Sequence, residues 1–551
     1  MTVLPFLLAA AIAATISLLV RASQRWSTIV ALVGLAGMAV LAGSLGPSAA
    51  VRIAGATLAS SDWLRLFALL GSVVGFFLVA IDAATEYQPD VPGSVILGLG
   101  TAVLALALTD PGMAVVAATA GGLAGILVAA PVGAAARALF VGVRELRAVA
   151  IAGALGIVAT AWIGRPLGEL GAISTVFGLA YLAFVLAVAI RLGAIPFHLW
   201  AARLADAAPG VALPLLMAWG PAAFAAVALA WIDRSVAPLA LPLDGERAIL
   251  AAIGALSVVL GLVAALIQDD LEHVVGYTIA ADAGFVVLAL AGLDPTVWAP
   301  SRIWLLVFVV GRSAFAAWVV ALNGAFGTRR LPELTGWVRR SPLLAGGLLA
   351  IAVAAIGWPG LAAWQARADL ARLALPGPVG IVVTLAPLLG IVVYGRILWV
   401  GVGRPGTAVL AAAGERPGWP IPWPRRPIVG DPGLERLLGR VGHALAGVLD
   451  QVWALPAAVR LNRVPLASVG VVVLAGLALV VAGGGLGVAA AARAVPAISV
   501  PAGGGSGFEP VPGPSAAAVP GPGISAAPSI GAPTGGSSGA ASPAASSDVG
   551  N

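Results

Sequence analysis

The sequence contains no cysteine and no lysine, and only 10% of its 551 residues are charged. Without cysteine, disulfides, thiolate metal sites and thiol nucleophiles are excluded. All 30 basic residues are arginines, and a buried guanidinium, unlike a lysine amine, does not release its proton. With 60% hydrophobic residues and a mean hydropathy of +1.04, the chain is predicted to be a polytopic membrane protein. Its net charge of +6 is interpreted as a topology signal, and no nucleic-acid partner is expected.

Apolar runs of membrane length predict an all-α membrane protein with about fourteen transmembrane helices. The runs lie near 3–20, 28–46, 64–82, 94–109, 112–131, 147–164, 173–205, 211–232, 248–268, 273–292, 302–323, 342–373, 378–400 and 465–490. The first run is followed, not preceded, by basic residues, so it is interpreted as a retained span and not as a signal peptide.

Arginines concentrate in alternate connections between these runs, among them the connections that hold Arg21, Arg144, Arg339 and Arg425. The arginine-rich side is predicted to be cytoplasmic. We therefore expect a multi-pass protein of the inner (plasma) membrane with both termini outside. Residues 401–464 are predicted to form a cytoplasmic loop with an amphipathic helix from Pro432. A last transmembrane helix, 465–495, precedes a Gly/Pro/Ala/Ser-rich tail, 496–551, predicted to be disordered.

Two of the apolar runs are interrupted by helix-breaking residues beside an arginine. The first has Arg191 followed by Pro196, and the second has Gly357, Pro359 and Gly360. A cation at membrane depth costs about 3 kcal/mol on insertion scales, and a proline removes a backbone hydrogen bond that lipid cannot replace. We therefore expect both segments to face a polar cavity or other protein.

Six polar residues in or near the predicted spans are candidates for a proton path: Arg191, His198, Asp282, Arg312, Arg367 and Asp369. A buried arginine and a buried aspartate each need a partner. One hypothesis is that Arg191, Asp282 and Arg312 share one hydrated network. The alternative is that each pairs locally or caps a helix break. His198 is either a proton carrier, since its pKa is within reach of working pH, or a hydrogen-bonded structural residue.

Three motifs carry a resemblance to a known family. The segment RLGAIPFHLW from Arg191 resembles the signature KxGxxPFHxWxPDxYxGAP of antiporter-like membrane subunits. These subunits occur in respiratory complex I, in multisubunit cation/proton antiporters and in membrane-bound hydrogenases. The segment from Gln268 to Phe285 is similar to their QxDLKRLLAYSSIAHxGY stretch, and residues 356–372 are similar to their AGIPPxxGFxxKxxLxx break.

The resemblance covers about residues 95–400 and implies a fold of two inverted five-helix repeats, each with a broken helix. The repeats are expected at 94–232 and 233–400, after N-terminal transmembrane helices at 1–93. The implied role is to move protons in concert with quinone reduction or with another ion gradient, along a hydrated line of lysines and a glutamate. Other hydrophobic subunits and the lipid bilayer are the implied partners, and no cofactor or metal of its own is expected.

Several residues depart from the family pattern. Arg191 stands at the family's first lysine, and Pro221 stands where a second lysine is expected. Asp282 replaces a histidine, and Ala366, beside Arg367, falls at the charged position of the second break. The fifth run, near 112–131, holds no carboxylate, although the family keeps a glutamate there.

A proton relay needs groups that take and release protons near working pH, which arginine cannot do. The main hypothesis is a subunit of a complex I-type NADH-quinone oxidoreductase that takes part in proton translocation coupled to electron transfer. The alternatives are a structural or assembly subunit that has lost the relay, and a cation/proton antiporter subunit.

Overall fold

The computed structural model describes residues 1–85, 87–129, 136–163, 174–237, 241–406, 409 and 463–493. The first ten α-helices are α1 (Leu4–Leu19), α2 (Gln24–Gly43), α3 (Asp62–Ala84), α4 (Val91–Ala107), α5 (Pro111–Ala129), α6 (Ala136–Ile163), α7 (Ser174–Leu192), α8 (Leu199–Leu204), α9 (Gly220–Ser235) and α10 (Asp244–Ile267). They are followed by α11 (Leu271–Gly292), α12 (Trp298–Phe326), α13 (Trp337–Arg340), α14 (Pro342–Ile356), α15 (Ala362–Ala374), α16 (Pro378–Leu385), α17 (Leu389–Val402), α18 (Arg463–Ala482) and α19 (Val488–Arg493).

Short elements complete the described chain. A π-helix, Leu215–Trp219, leads directly into α9, and 3₁₀ turns lie at Pro295–Val297, Leu331–Leu334 and Ala386–Leu388. Strands β1 (Ala50–Ile53) and β2 (Ala56–Ala59) form an antiparallel hairpin that the hydropathy pattern did not predict. Ala54 and Gly55 both have positive φ, as a two-residue turn that follows the strand twist requires.

The described helices are those of a multi-pass membrane protein. Eight helical stretches are long and apolar enough to cross a bilayer, and five more apolar helices are 10–17 residues long. The stretches Leu271–Gly292 and Pro295–Phe326 are each 94% buried, whereas Gln24–Gly43 is only 28% buried. Helices α11 and α12 are therefore at the centre of the bundle, because a helix that is apolar on every side is stable in the interior.

Side chains satisfy the backbone at both ends of the central helix α11. The Asp270 carboxylate accepts a hydrogen bond of 3.0 Å from the Glu272 backbone N–H at the start of the helix. At the other end, Arg247 of α10 donates to the carbonyls of Ala291 and Gly292, each at 3.0 Å. These contacts supply the partners that a helix terminus lacks.

Some predicted features lie outside the described residues. They include the amphipathic helix after Pro432, most of the loop predicted at 401–464, and the tail predicted at 496–551.

Candidate functional site

The first broken helix consists of α7 and α8, with Pro196 in the segment between them. The Ile195–Pro196 peptide bond is cis, and Gly193 has a φ of +66°. The backbone N–H of Ile195 donates to Ser257 Oγ of α10 at 2.9 Å. A neighbouring helix therefore supplies a partner for the backbone that the break exposes, as a non-helical segment at membrane depth requires.

Arg191 lies in the last turn of α7 and is only 3% exposed. Its Nη1 donates to the carbonyl of Leu216, in the π-helix, at 3.5 Å. A Cβ built on Gly122 of α5 would lie 2.7 Å from Arg191 Nη2, so the glycine provides the space for the guanidinium.

Arg191 lines a first cavity. Besides Arg191 it is lined by Val91, Ser94, Leu97, Gly98, Thr101 and Ala102 of α4, by Ala118, Gly121, Ala124 and Gly125 of α5, and by Ala212, Leu215, Leu216 and Gly220. The lining is dominated by small residues, and three side chains, Ser94, Thr101 and Arg191, bring polar groups to it.

Glu145 of α6 is fully buried, and neither of its carboxylate oxygens has a hydrogen-bond partner among the described residues. The guanidinium of Arg191 interacts with it electrostatically. A buried ionised carboxylate without hydrogen bonds is costly, so this group needs its counter-charge, water or a proton.

The sequence analysis missed Glu145 because arginines flank it on both sides, at Arg144 and Arg147, and the stretch was interpreted as a connection. The predicted span began near residue 147, whereas α6 begins at Ala136. The fifth run, near 112–131, does lack a carboxylate, and the acid that interacts with Arg191 lies instead on the next helix, α6. The helical spacing of apolar residues from Leu139 onward was the signal that could have extended the helix.

The second broken helix consists of α14 and α15, with Gly357, Pro359 and Gly360 in the break. Gly357 ends α14 with a φ of +58°. Arg367 of α15 is 2% exposed and reaches back to the end of α14. It donates to the carbonyls of Ala355, at 3.3 Å, of Ile356, and of Gly357, at 3.4 Å.

Asp282 of α11 and Arg312 of α12 form a buried ion pair. Arg312 Nε donates to Asp282 Oδ2 at 2.5 Å, and Arg312 Nη1 donates to the hydroxyl of Tyr394 at 3.0 Å. Asp282 is only 6% exposed, so the ion pair is largely removed from water and each charge is stabilised mainly by the other. Arg367 lies near this group, with its guanidinium carbon 5.0 Å from the centre of the Trp304 ring.

A second cavity is lined by these groups. Its lining comprises Val258, Leu262, Thr278, Ala281, Asp282, Phe285, Arg312, Ala355, Ile356, Arg367, Pro387, Gly390, Val393 and Tyr394.

The contacts divide the predicted three-residue network into two separate groups. Asp282 pairs with Arg312, as the hypothesis required. Arg191 instead interacts with Glu145 and lines the other cavity. The contacts therefore contradict the part of the network hypothesis that joins Arg191 to Asp282, because the carboxylate that interacts with Arg191 is Glu145.

Two other candidates lie apart from both cavity linings. Asp369 pairs with Arg372 of the same helix at 2.5 Å, and that arginine is 62% exposed. His198 is half-buried at the start of α8, with its ring centre 6.1 Å from that of Tyr277, and its buried Nδ1 has no hydrogen-bond partner among the described residues.

A charged cluster joins the start of α11 to the segment after α12. Arg329 Nε lies 2.9 Å from an oxygen of Asp270, and Arg329 Nη1 donates to Glu272. His273 Nε2 lies 3.3 Å from an oxygen of Asp206, in the segment after α8. These acidic residues are therefore paired with basic ones.

Comparison with known families identifies the stretch that carries both broken helices. Residues 138–384 match the family described as NADH:quinone oxidoreductase/Mrp antiporter, TM. This stretch of the chain is therefore similar to antiporter-like membrane subunits. The match begins within α6, just before Glu145, and includes both broken helices.

Curated relatives of this chain have related names. NADH-quinone oxidoreductase subunit N of Dehalococcoides mccartyi is 26% identical over 304 residues, which are 52% of this chain and 58% of the relative. NAD(P)H-quinone oxidoreductase subunit 2 of Nostoc punctiforme is 29% identical over 200 residues, 36% of this chain and 35% of the relative. The chain thus spans only 35% to 58% of the length of these two relatives.

Solved structures share the fold. A chain of the archaeal membrane-bound sulfane sulfur reductase has a TM-score of 0.64 at 17% identity, covering 87% of this chain and 99% of that chain. A chain of the Mrp complex from Dietzia sp. has a TM-score of 0.58 at 17% identity, covering 88% and 98%. A chain of respiratory complex I from Thermus thermophilus has a TM-score of 0.56 at 20% identity, covering 74% and 95%.

Proposed function

We propose that this antiporter-like subunit belongs to a complex I-type NADH-quinone oxidoreductase or a related membrane complex and takes part in proton translocation coupled to electron transfer. The observation that carries the proposal is Glu145. It is a fully buried carboxylate without a hydrogen-bond partner among the described residues, and it faces the permanent charge of Arg191. A carboxyl group can take up and release a proton, whereas the guanidinium can only stabilise its ionised form.

The order of the helices supports two repeats of five membrane crossings. In the first repeat these are α4, α5, α6, α7–α8 and α9, and in the second they are α10, α11, α12, α14–α15 and α16–α17. The broken helix is the fourth in each. The first cavity is lined by the first, second, fourth and fifth members of its repeat, and the second cavity is lined by all five members of its repeat. With α1, α2, α3 and α18, the chain would cross the membrane fourteen times.

Fourteen crossings place both termini on one side of the inner membrane, and the arginine bias makes that side the outer one. The absence of cysteine makes this topology directly testable. A single cysteine at Arg52 in the hairpin is expected to react with a membrane-impermeant maleimide from outside. A cysteine at Arg340, after α13, is expected to react only when the membrane is opened. The reverse pattern contradicts the proposed orientation.

The function is tested with the complete complex, isolated through a tag on this chain and reconstituted in liposomes with a trapped pH-sensitive dye. Glu145→Gln removes the exchangeable proton and keeps the shape of the side chain. We expect it to lower proton uptake per electron transferred. Asp369→Asn, the same change at an exposed pair, is the matched control and is expected to leave uptake unchanged.

Unchanged uptake in a fully assembled Glu145→Gln complex would contradict proton translocation by this subunit. That result would favour the second candidate, a structural or assembly subunit. The observation that supports this candidate is the second cavity, where Asp282 and Tyr394 are both held by Arg312.

A further inference from the structure

The two cavities differ in how the charges around them are balanced. The charged groups of the second cavity are Asp282, Arg312 and Arg367, which interact electrostatically with one another and with the hydroxyl of Tyr394. Both guanidinium groups stay protonated. One negative and two positive charges leave this cavity with an excess of one permanent positive charge. The first cavity has one charged lining residue, Arg191. Its counter-charge is Glu145 of α6, which lies outside that lining and balances Arg191 when it is ionised.

The groups of the second cavity that could exchange a proton are already engaged. The carboxylate of Asp282 accepts from Arg312 Nε at 2.5 Å, and the oxygen of Tyr394 accepts from Arg312 Nη1 at 3.0 Å. Both oxygens are therefore held by a guanidinium with a permanent charge. Breaking this buried ion pair would leave uncompensated buried charges, which is costly.

The excess charge is also fixed in position. Arg367 donates to three consecutive carbonyls, those of Ala355, Ile356 and Gly357, where the broken helix ends. Gly357 leaves room for the guanidinium, since a Cβ at this position would collide with Arg367 Nη2. The negative end of the α14 dipole and the absence of a side chain thus hold the cation at the break.

We propose that the second half of this subunit is an electrostatic barrier that excludes protons and metal cations, so that transport uses the first half alone. A fixed arginine in a narrow polar passage raises the energy of any cation that enters it. Only the statement that transport uses the first half alone rests on the proposed function. Exclusion at the second cavity follows from its charges whether or not Glu145 carries protons.

The first test removes the ion pair and keeps the excess charge. In the reconstituted complex, the double variant Asp282→Leu/Arg312→Met leaves Arg367 as the only charge of the second cavity. Redox-driven proton uptake is expected to equal that of the wild type. Tyr394→Phe, a milder change, is expected to behave in the same way and serves if the double variant does not assemble. A fall in uptake as large as that of Glu145→Gln, in either assembled variant, would overturn the barrier.

The second test removes the excess charge. Arg367→Gln is expected to raise the passive proton leak severalfold, measured as the decay of an imposed pH step without an electron donor. An unchanged leak in the assembled variant would also overturn the barrier. Failure of the proposed function would look different. Glu145→Gln would then leave redox-driven proton uptake unaltered, while Arg367→Gln would still raise the passive proton leak.

Discussion

Two regions of this chain each contain a broken helix, and they treat their buried carboxylates in opposite ways. Each half has a broken helix with a buried arginine and a cavity beside the break. In the first half, Glu145 has no hydrogen-bond partner among the described residues and faces Arg191 without a direct contact. In the second half, Asp282 is held by Arg312 at 2.5 Å. The difference teaches that a shared fold does not assign the chemistry, which depends on how each acid is satisfied.

The largest effect is expected from Arg312→Met, which leaves Asp282 buried without its partner. Breaking a buried ion pair costs about 3–5 kcal/mol. We expect a loss of this size in the free energy of unfolding, measured in mixed micelles. The double variant Asp282→Leu/Arg312→Met is the control and is expected to lose much less. Equal losses in the two variants would show that packing, and not the unpaired charge, sets the cost.

Arg191→Met is expected to destabilise the chain less, by about 1–3 kcal/mol, because Glu145 can bind a proton and lose its charge. The same measurement in Glu145→Gln/Arg191→Met sharpens the comparison, since no carboxylate then remains to be neutralised. We expect the double variant to be at least as stable as Arg191→Met. A loss as large as that of Arg312→Met would mean that the two carboxylates are equally dependent on their arginines.

A third prediction concerns the glycine at the second break. Gly357→Ala places an L residue at a φ of +58°, which costs about 1–2 kcal/mol, and its Cβ also displaces Arg367. Gly346→Ala, on α14 where an added Cβ meets nothing within 4 Å, is expected to be neutral or slightly stabilising. Comparison of the two melting temperatures in detergent separates strain at the break from a general response of the helix.

The smallest effect is expected from Asp369→Asn. Its partner Arg372 is largely exposed, and exposed ion pairs contribute about 0–1 kcal/mol. The variant is expected to keep wild-type stability and wild-type proton uptake. A clear loss of uptake would place Asp369 on the proton path and remove the contrast with Glu145.

Hydropathy and helix-breaking residues were sufficient to predict a multi-pass, mostly helical membrane protein and the positions of the two helix breaks. The proline at 196 and the glycines at 357 and 360 lie in breaks, because each removes or distorts the regular helical backbone whatever surrounds it. The hairpin at β1 and β2 was not predicted, since its strands are too short to give a periodic signal.

Which charged residues pair with each other was harder to predict than where the helix breaks lie. Asp282 and Arg312 are thirty residues apart on neighbouring helices, and Arg191 was an equally reasonable partner from the sequence alone. Glu145 was hidden for a different reason. Its flanking arginines made the start of α6 look like a connection, although long arginine side chains can lie along a helix and keep their heads in water.

The early start of α6 determines the depth of Glu145. At 1.5 Å per residue, the carboxylate lies roughly 14 Å from the first residue of the helix and roughly 27 Å from its last. If the membrane voltage falls evenly along α6, a proton that arrives from the nearer end would cross roughly a third of it, which is about 0.8 kcal/mol per 100 mV. Under the proposed function, most of the electrical work would then fall on the release step, and release is expected to depend more steeply on voltage than uptake.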